Sequence, residues 1–292
     1  MAVDQGPVVQ SAILRNTLIR LRKGRLLTQE QVADDLEWSP SKLIRVEGGR
    51  SSITKTDLDA LLTLYGVTSA GEERERLQDL NRAARERAWW DQYRSDISAP
   101  YLNFVGYEAG ASFIRQFIVN VVPGLLQTPE YARVLTESTV DSIKVAPVVN
   151  LRLQRQKELA QRSDPPYQYY ILDEAVIRRH VGIAVDPAIM PNQLKAMADR
   201  AAQDDHVFIR ILPFKEGAHR GVNIAGAFTL LEFDGGLPDL VYLDAGRGEV
   251  AVITGDDPEV SEYRDLFESL LEFVLPEAES IEFIRTVAEE MS

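Results

Sequence analysis

The chain has 292 residues, enough for two domains that each bury a core. It contains no cysteine, which excludes disulfides, thiolate zinc sites and thiol catalysis and fits a cytoplasmic location. Its net charge is −13, unevenly spread: residues 1–70 carry nine Lys/Arg against eight Asp/Glu, so the other 222 carry 23 against 37. The acidic load therefore falls outside the N-terminal quarter, where it would repel a polyanion or serve solubility alone. No apolar run reaches the length of a membrane span, and MAVDQGPVVQ lacks a basic-then-apolar leader pattern, so no membrane association is expected.

Residues 8–23 place Leu14, Leu18 and Leu21 at helical spacing, with Arg15, Arg20, Arg22, Lys23 and Arg25 making this first helix and its exit basic. Thr28 to Gly49, TQEQVADDLEWSPSKLIRVEGG, reads as two short helices joined by a tight turn. Thr28 is an N-cap with Gln31 three residues on, as in a capping box. Val32, Ala33 and Leu36 form an inward face. Ser39 restarts the chain as a second N-cap, with Pro40 at the first helical position, where its missing N–H costs nothing. Trp38 and Leu43 are placed for a hydrophobic staple. Leu43 and Val46 turn inward, which leaves Pro40, Ser41, Lys42 and Arg45 outward, and Gly48-Gly49 ends the helix.

This helix-turn-helix resembles the Xre/Cro-type DNA-binding fold over roughly residues 8–66. Thr28-Gln29, Ala33, Ser39 and the run Ile44 to Gly49 fall where that family's pattern has them. Trp38 is bulkier than the usual aliphatic residue, and Gly48 replaces a commoner polar one. The resemblance implies an ion pair between Arg22 and Glu47, and a DNA-contact set of Thr28, Gln29, Ser39, Pro40, Ser41, Lys42, Arg45 and Arg50. In that set Arg45 would read a guanine bidentately, while Gln29, Lys42 and Arg50 would hold phosphates.

Thr54 caps a further helix through Tyr65, with Leu58, Leu61, Leu62 and Tyr65 inward. Residues from Gly71 to Tyr93 read as one charge-rich helix, solvated or partner-facing, with Trp89, Trp90 and Tyr93 as an apolar end that docks on a second domain. From about residue 97 the pattern changes. An aromatic-rich stretch leads to VVPGLLQTPEYAR, where Thr128 caps a helix that Pro129 opens. Residues 145–162 are helical; YQYYILDEAVIR is strand-like with a bend at Asp173-Glu174; MPNQLKAMADRAAQ is helical. Four strands follow, VFIRILPF, GAFTLLEF, LVYLDA and EVAVIT, whose short turns favour antiparallel pairing. Two helices, 258–274 and 276–290, close the chain.

The expected fold is an α+β multidomain chain: an all-α five-helix helix-turn-helix domain, then a mixed α+β domain with a mostly antiparallel sheet. The boundaries expected are 1–70 for the DNA-binding domain, 71–96 for a linker helix and 97–292 for a regulatory or partner-binding domain. The order WWDQY, VVPGLLQTPEYAR, LRLQRQKEL, ILDEAVIRR, VFIRILPF, GAFTLLEF and VYLDA is similar to one group of actinobacterial Xre-type regulators. Their C-terminal domain has no known function, and some are described as antitoxin-like.

Other chemistry is thin. His180, His206 and His219 match no metal-ligand spacing, no cofactor motif appears, and GVNIAGA reads as a turn. Asp173 and Glu174 would point to opposite faces of a strand, so an ion pair with Arg178 or Arg179 is the expectation. Gln127, Thr128, Tyr131 and Arg133 stand near a helix N-terminus that could hold an anion or peptide carboxylate, although a corner held by Pro123 and Gly124 is favoured over a site. No hydrolase elbow or catalytic triad order is present, so no enzyme is expected. The function expected is a homodimeric, sequence-specific regulator on double-stranded DNA, modulated in the manner of antitoxins by a small acidic or toxin-like partner protein. The alternatives are a ligand-gated regulator with a small-molecule effector and a protein scaffold whose helix-turn-helix is structural.

Overall fold

The computed structural model describes residues 5–68, 71–217, 226–244, 250–254 and 257–292. It divides into two compact units, Met1–Asp91 with Gly235–Leu237, and Gln92–Asp234 with Pro238–Ser292.

The first unit holds helices α1 (Gly6–Gly24), α2 (Gln29–Asp35), α3 (Pro40–Glu47), α4 (Lys55–Leu64) and α5 (Glu72–Ala83). Leu14 and Leu18 of α1, Val32, Leu43, Val46, Leu58, Leu61, Leu62 and Leu77 close on one core. Short helices are marginal alone, so this shared apolar stripe is what makes them cooperative. Local chemistry fixes their ends. The Thr28 hydroxyl accepts from Gln31 N at 3.1 Å while Thr28 N donates to the Gln31 side chain at 2.9 Å, completing the capping box. Thr54 caps α4 by accepting from Asp57 N. Ser39 holds the N-cap position of α3 with extended backbone but makes no capping bond; its Oγ lies 3.3 Å from Ser41 Oγ instead. The turn between α2 and α3 places Glu37 at φ 53°, a left-handed conformation that costs a non-glycine residue about 1 kcal/mol.

Helix α5 stops at Ala83 and does not continue to Tyr93. It is an integral part of the first unit's core: Leu77 is fully buried, and the Arg74 guanidinium donates to Val67 O, Asp59 O and Thr63 Oγ1. The charge-rich pattern concealed this, because an arginine satisfying backbone carbonyls reads like one facing water. Of the aromatic end, Trp89 and Trp90 group with the first unit and Tyr93 with the second, where its hydroxyl donates to Gln154.

The second unit is a six-stranded mixed sheet in the order β3-β2-β1-β4-β5-β6. The strands are β1 (Phe113–Ile118), β2 (Tyr167–Asp173), β3 (Val207–Leu212), β4 (Phe228–Glu232), β5 (Leu240–Asp244) and β6 (Val250–Thr254). The last three form an antiparallel meander, and β4 pairs antiparallel with β1. The strand expected to open that meander, β3, does not pair with β4; it lies at the far edge, parallel to β2, which is parallel to β1. Parallel neighbours need long crossovers. Here α7 (Pro129–Glu137) and α8 (Ser142–Ala160) link β1 to β2, and α9 (Glu174–Arg178) and α10 (Ile189–Gln203) link β2 to β3. Helix α6 (Ala99–Gly110) precedes β1, and α11 (Pro258–Leu270) and α12 (Glu277–Glu290) end the chain. Val260, Leu266, Phe267 and Leu270 of α11 pack with Phe117, Ile171, Phe228, Leu230 and Val241 of the sheet. Glu108 of α6 and Arg155 of α8 form a buried ion pair, 1% and 5% exposed, with bonds of 2.5 and 2.8 Å. Burial by itself lowers the Arg155 pKa, but Glu108 holds it above the ordinary value.

The bend expected at Asp173-Glu174 is the start of α9: Asp173 caps it through Ala175 N, and Glu174 pairs with Arg178 at 2.6 Å.

Candidate nucleic-acid interface

Helix α3 presents two unlike faces. Leu43 is fully buried and Val46 is 7% exposed, while Ser39, Pro40, Ser41, Ile44 and Arg45 are exposed. What fixes the angle of that face is a buried ion pair at its base. Arg22 of α1 grips Glu47 bidentately, Nε to Oε1 at 2.7 Å and Nη2 to Oε2 at 2.9 Å, while its Nη1 donates to Leu27 O. Gln29 of α2 donates to Glu47 Oε2 at 2.6 Å. One carboxylate thus ties α1, the loop before α2, and α2 itself to the C-terminal end of α3. The hydrogen bonds that Arg22 donates to Glu47 push the Arg22 pKa above its ordinary value, against the effect of burial. Bidentate arginine–carboxylate pairs are directional, so this network orients the helix as well as attaching it.

The expected contact residues divide accordingly. Arg45 and Arg50 are exposed and carry no ion pair or side-chain hydrogen bond among the described residues, and Arg50 lies along Gly48. Gly49, at φ 69°, ends the helix where a Cβ would run into the Arg15 guanidinium. Pro40 and Ser41 occupy the N-terminal turn of the exposed face. Gln29 is half-buried and engaged with Glu47, and the Thr28 side chain is committed to its cap. Lys42 departs furthest from the expectation. Its ammonium bonds Asp57 Oδ1 at 2.7 Å and sits 3.9 Å above the Trp38 ring. Burial acts to raise the Asp57 pKa, yet hydrogen bonds from Lys42 and Thr54 leave it below the usual carboxylate value. Lys42 therefore braces α3 against α4. Arg25, part of the basic exit of the first helix, donates to Tyr65 O and covers Gly66 at the end of α4. Trp38 is partly buried against the cluster that includes Leu43, as a staple requires.

The second candidate group is not brought together as a site. Gln127 is buried, donating to Val122 O at 2.8 Å and accepting from Arg152; the fully buried Tyr131 accepts from Val122 N. Burial raises the Tyr131 pKa. Gln156 bonds Gly124 O and Gln127 O, Gln193 bonds Leu126 O, and Arg200 bonds Leu125 O. Side chains thus satisfy the carbonyls of an irregular segment that has no ladder of its own. Thr128 caps α7, and only Arg133 is exposed. The corner reading accounts for these residues.

His180 lies 3.0 Å from Pro187 O, His206 stacks on Tyr167 at 4.6 Å, and His219 is outside the described residues, as is most of GVNIAGA. Among the described residues no cluster could hold a metal ion, and no helix is long and apolar enough to cross a membrane.

The residues that sequence reasoning missed are Ile44, on the exposed face, and Asp57, which engages Lys42. Ile44 had a signal, since Leu43 and Val46 define the inward stripe of this short helix and Ile44 lies off it. Asp57 had none, because it pairs across 15 residues.

Comparison with known families assigns both units. Residues 13–77 match a helix-turn-helix domain, and residues 101–286, well over half the chain, match a domain of unknown function (DUF5753). No curated protein and no solved structure matches. The helix-turn-helix domain supports a DNA-binding regulator.

Proposed function

Because the chain belongs to the DUF5753 family and carries a helix-turn-helix domain ahead of that region, we propose that it regulates transcription by sequence-specific binding of duplex DNA. The observation that carries this reading is the exposed face of α3, anchored from beneath by Arg22, Glu47 and Gln29. In the major groove, Arg45 has the donors for bidentate contact with guanine O6 and N7, and Pro40 and Ser41 are short enough to let the backbone approach. Arg50 contacts phosphate. Lys42, held by Asp57, is removed from the contact set. One such domain has a small footprint, so the reading includes a homodimer on two half-sites about one helical turn apart.

The second unit supplies the regulatory input. In this reading the input is a protein partner, and Ile183, Val185 and Phe214, 58%, 70% and 56% exposed, are apolar side chains open to one. The small partner of an antitoxin-like pair is one such protein. No catalytic step belongs to this reading.

The test is selection of a duplex from a randomised pool by the full chain, followed by a salt series and sedimentation of the complex. Two chains per selected duplex, and affinity that falls steeply with salt, are expected. A chain that enriches no sequence contradicts the proposal.

A further inference from the structure

The exposed face of α3 contains one side chain that neither stability nor solubility explains. Ile44 is 41% exposed, although Leu43 beside it is fully buried. Ser41, one turn back, and Gly48, one turn forward, are too short to cover it, and Arg45 flanks it with an exposed guanidinium. A β-branched residue in an exposed helical position has lower helix propensity than alanine, glutamate or lysine. The major groove offers one apolar group for such a side chain to meet, the C5-methyl of thymine.

We propose that Ile44 reads the C5-methyl group of a thymine neighbouring the guanine contacted by Arg45. The inference rests on the reading that α3 enters the major groove, and it names the chemistry recognised there. Arg45 supplies the donors, Ile44 buries one methyl group, and the two adjacent side chains specify a guanine together with a thymine within each half-site. A cytosine in place of that thymine presents an amino donor and no methyl, so Ile44 discriminates through a group left unpaired as well as through lost apolar burial.

The test uses the full chain and the duplex it selects. Each thymine of a half-site is replaced in turn by deoxyuridine, which removes the methyl group and leaves base pairing intact. At one position the wild-type chain is expected to lose about four-fold in affinity, the fold-change for withdrawing one buried methyl group. Ile44→Ala, a substitution that favours the helix, should bind the thymine and deoxyuridine duplexes equally at that position. Arg45→Ala should keep the full thymine-to-deoxyuridine ratio there. The inference is overturned if no deoxyuridine weakens the wild type, or if Ile44→Ala retains the penalty. If the chain selects no duplex at all, the parent reading fails and takes this one with it; if it selects a duplex that is indifferent to deoxyuridine, only this one fails.

Discussion

Two segments of this chain looked alike in composition: Thr28 to Arg50 and Val122 to Arg133. Each has a threonine N-cap, a proline-opened helix, and a cluster of polar and cationic side chains near a helix N-terminus. In the first, buried Glu47 and half-buried Gln29 are satisfied by each other and by Arg22 of α1, and the face above them is left free to meet another molecule. In the second, Gln127, Tyr131, Gln156 and Gln193 are consumed by the backbone of the corner. Residue type proposes a site, but the accounting of hydrogen bonds decides it. A polar group already paired in the folded chain has less left to offer a ligand.

That contrast can be broken most forcefully at the buried ion pairs. Arg22→Ala strands Glu47, 5% exposed, and should cost the first unit roughly 3–5 kcal/mol in a denaturant titration. Arg155→Ala strands Glu108 and should cost the second unit a similar amount; a loss under 1 kcal/mol in both would refute the anchoring roles given to these pairs.

A smaller effect sharpens the comparison at the corner. Tyr131→Phe removes the hydroxyl that accepts from Val122 N and should cost about 1–3 kcal/mol of stability. Its affinity for a selected duplex should stay within two-fold of wild type, whereas a specific loss of binding would restore the corner as a functional site.

The smallest effect belongs to Lys42. Lys42→Ala should cost under about 1 kcal/mol, since its pair with Asp57 is partly solvated. It should also leave the slope of affinity against salt unchanged, because an ammonium committed to a carboxylate releases few counterions. The Asp57 pKa is lowered in the folded chain, so its contribution is present above the unfolded carboxylate value and is lost as pH falls through the folded one. Comparing acid titrations of wild type and Lys42→Ala checks this: the wild-type advantage should fade with acidification, and an advantage that grows would contradict the pairing.

The first unit was legible in the sequence because its signals are local. Thr28 and Thr54 sit directly before their helices, and Leu58, Leu61 and Leu62 repeat at helical spacing. The Arg22–Glu47 pair was legible only through family resemblance, since it spans 25 residues. The parallel half of the sheet was not legible. Strand β1 carries Arg115 and Gln116 at its middle, which blurs its apolar pattern, and its partner β2 begins some 50 residues later, at Tyr167, with no turn to announce the pairing. Strand β3 looked continuous with the meander because the sequence shows proximity along the chain, while Tyr169 and Ile171 of β2 are what it pairs with. The Lys42–Asp57 pair was not legible for the same reason: the outward position of Lys42 on α3 was visible, and Asp57 on the next helix was not.

The central claim is that the exposed face of α3 reads base sequence, and the most direct measurement is fluorescence anisotropy of wild type and Arg45→Ala on the selected duplex and on random duplex. The account predicts a loss of about 1–3 kcal/mol on the selected duplex, little change on random DNA, and unchanged stability. An Arg45→Ala chain that binds its selected duplex as tightly as wild type would contradict it.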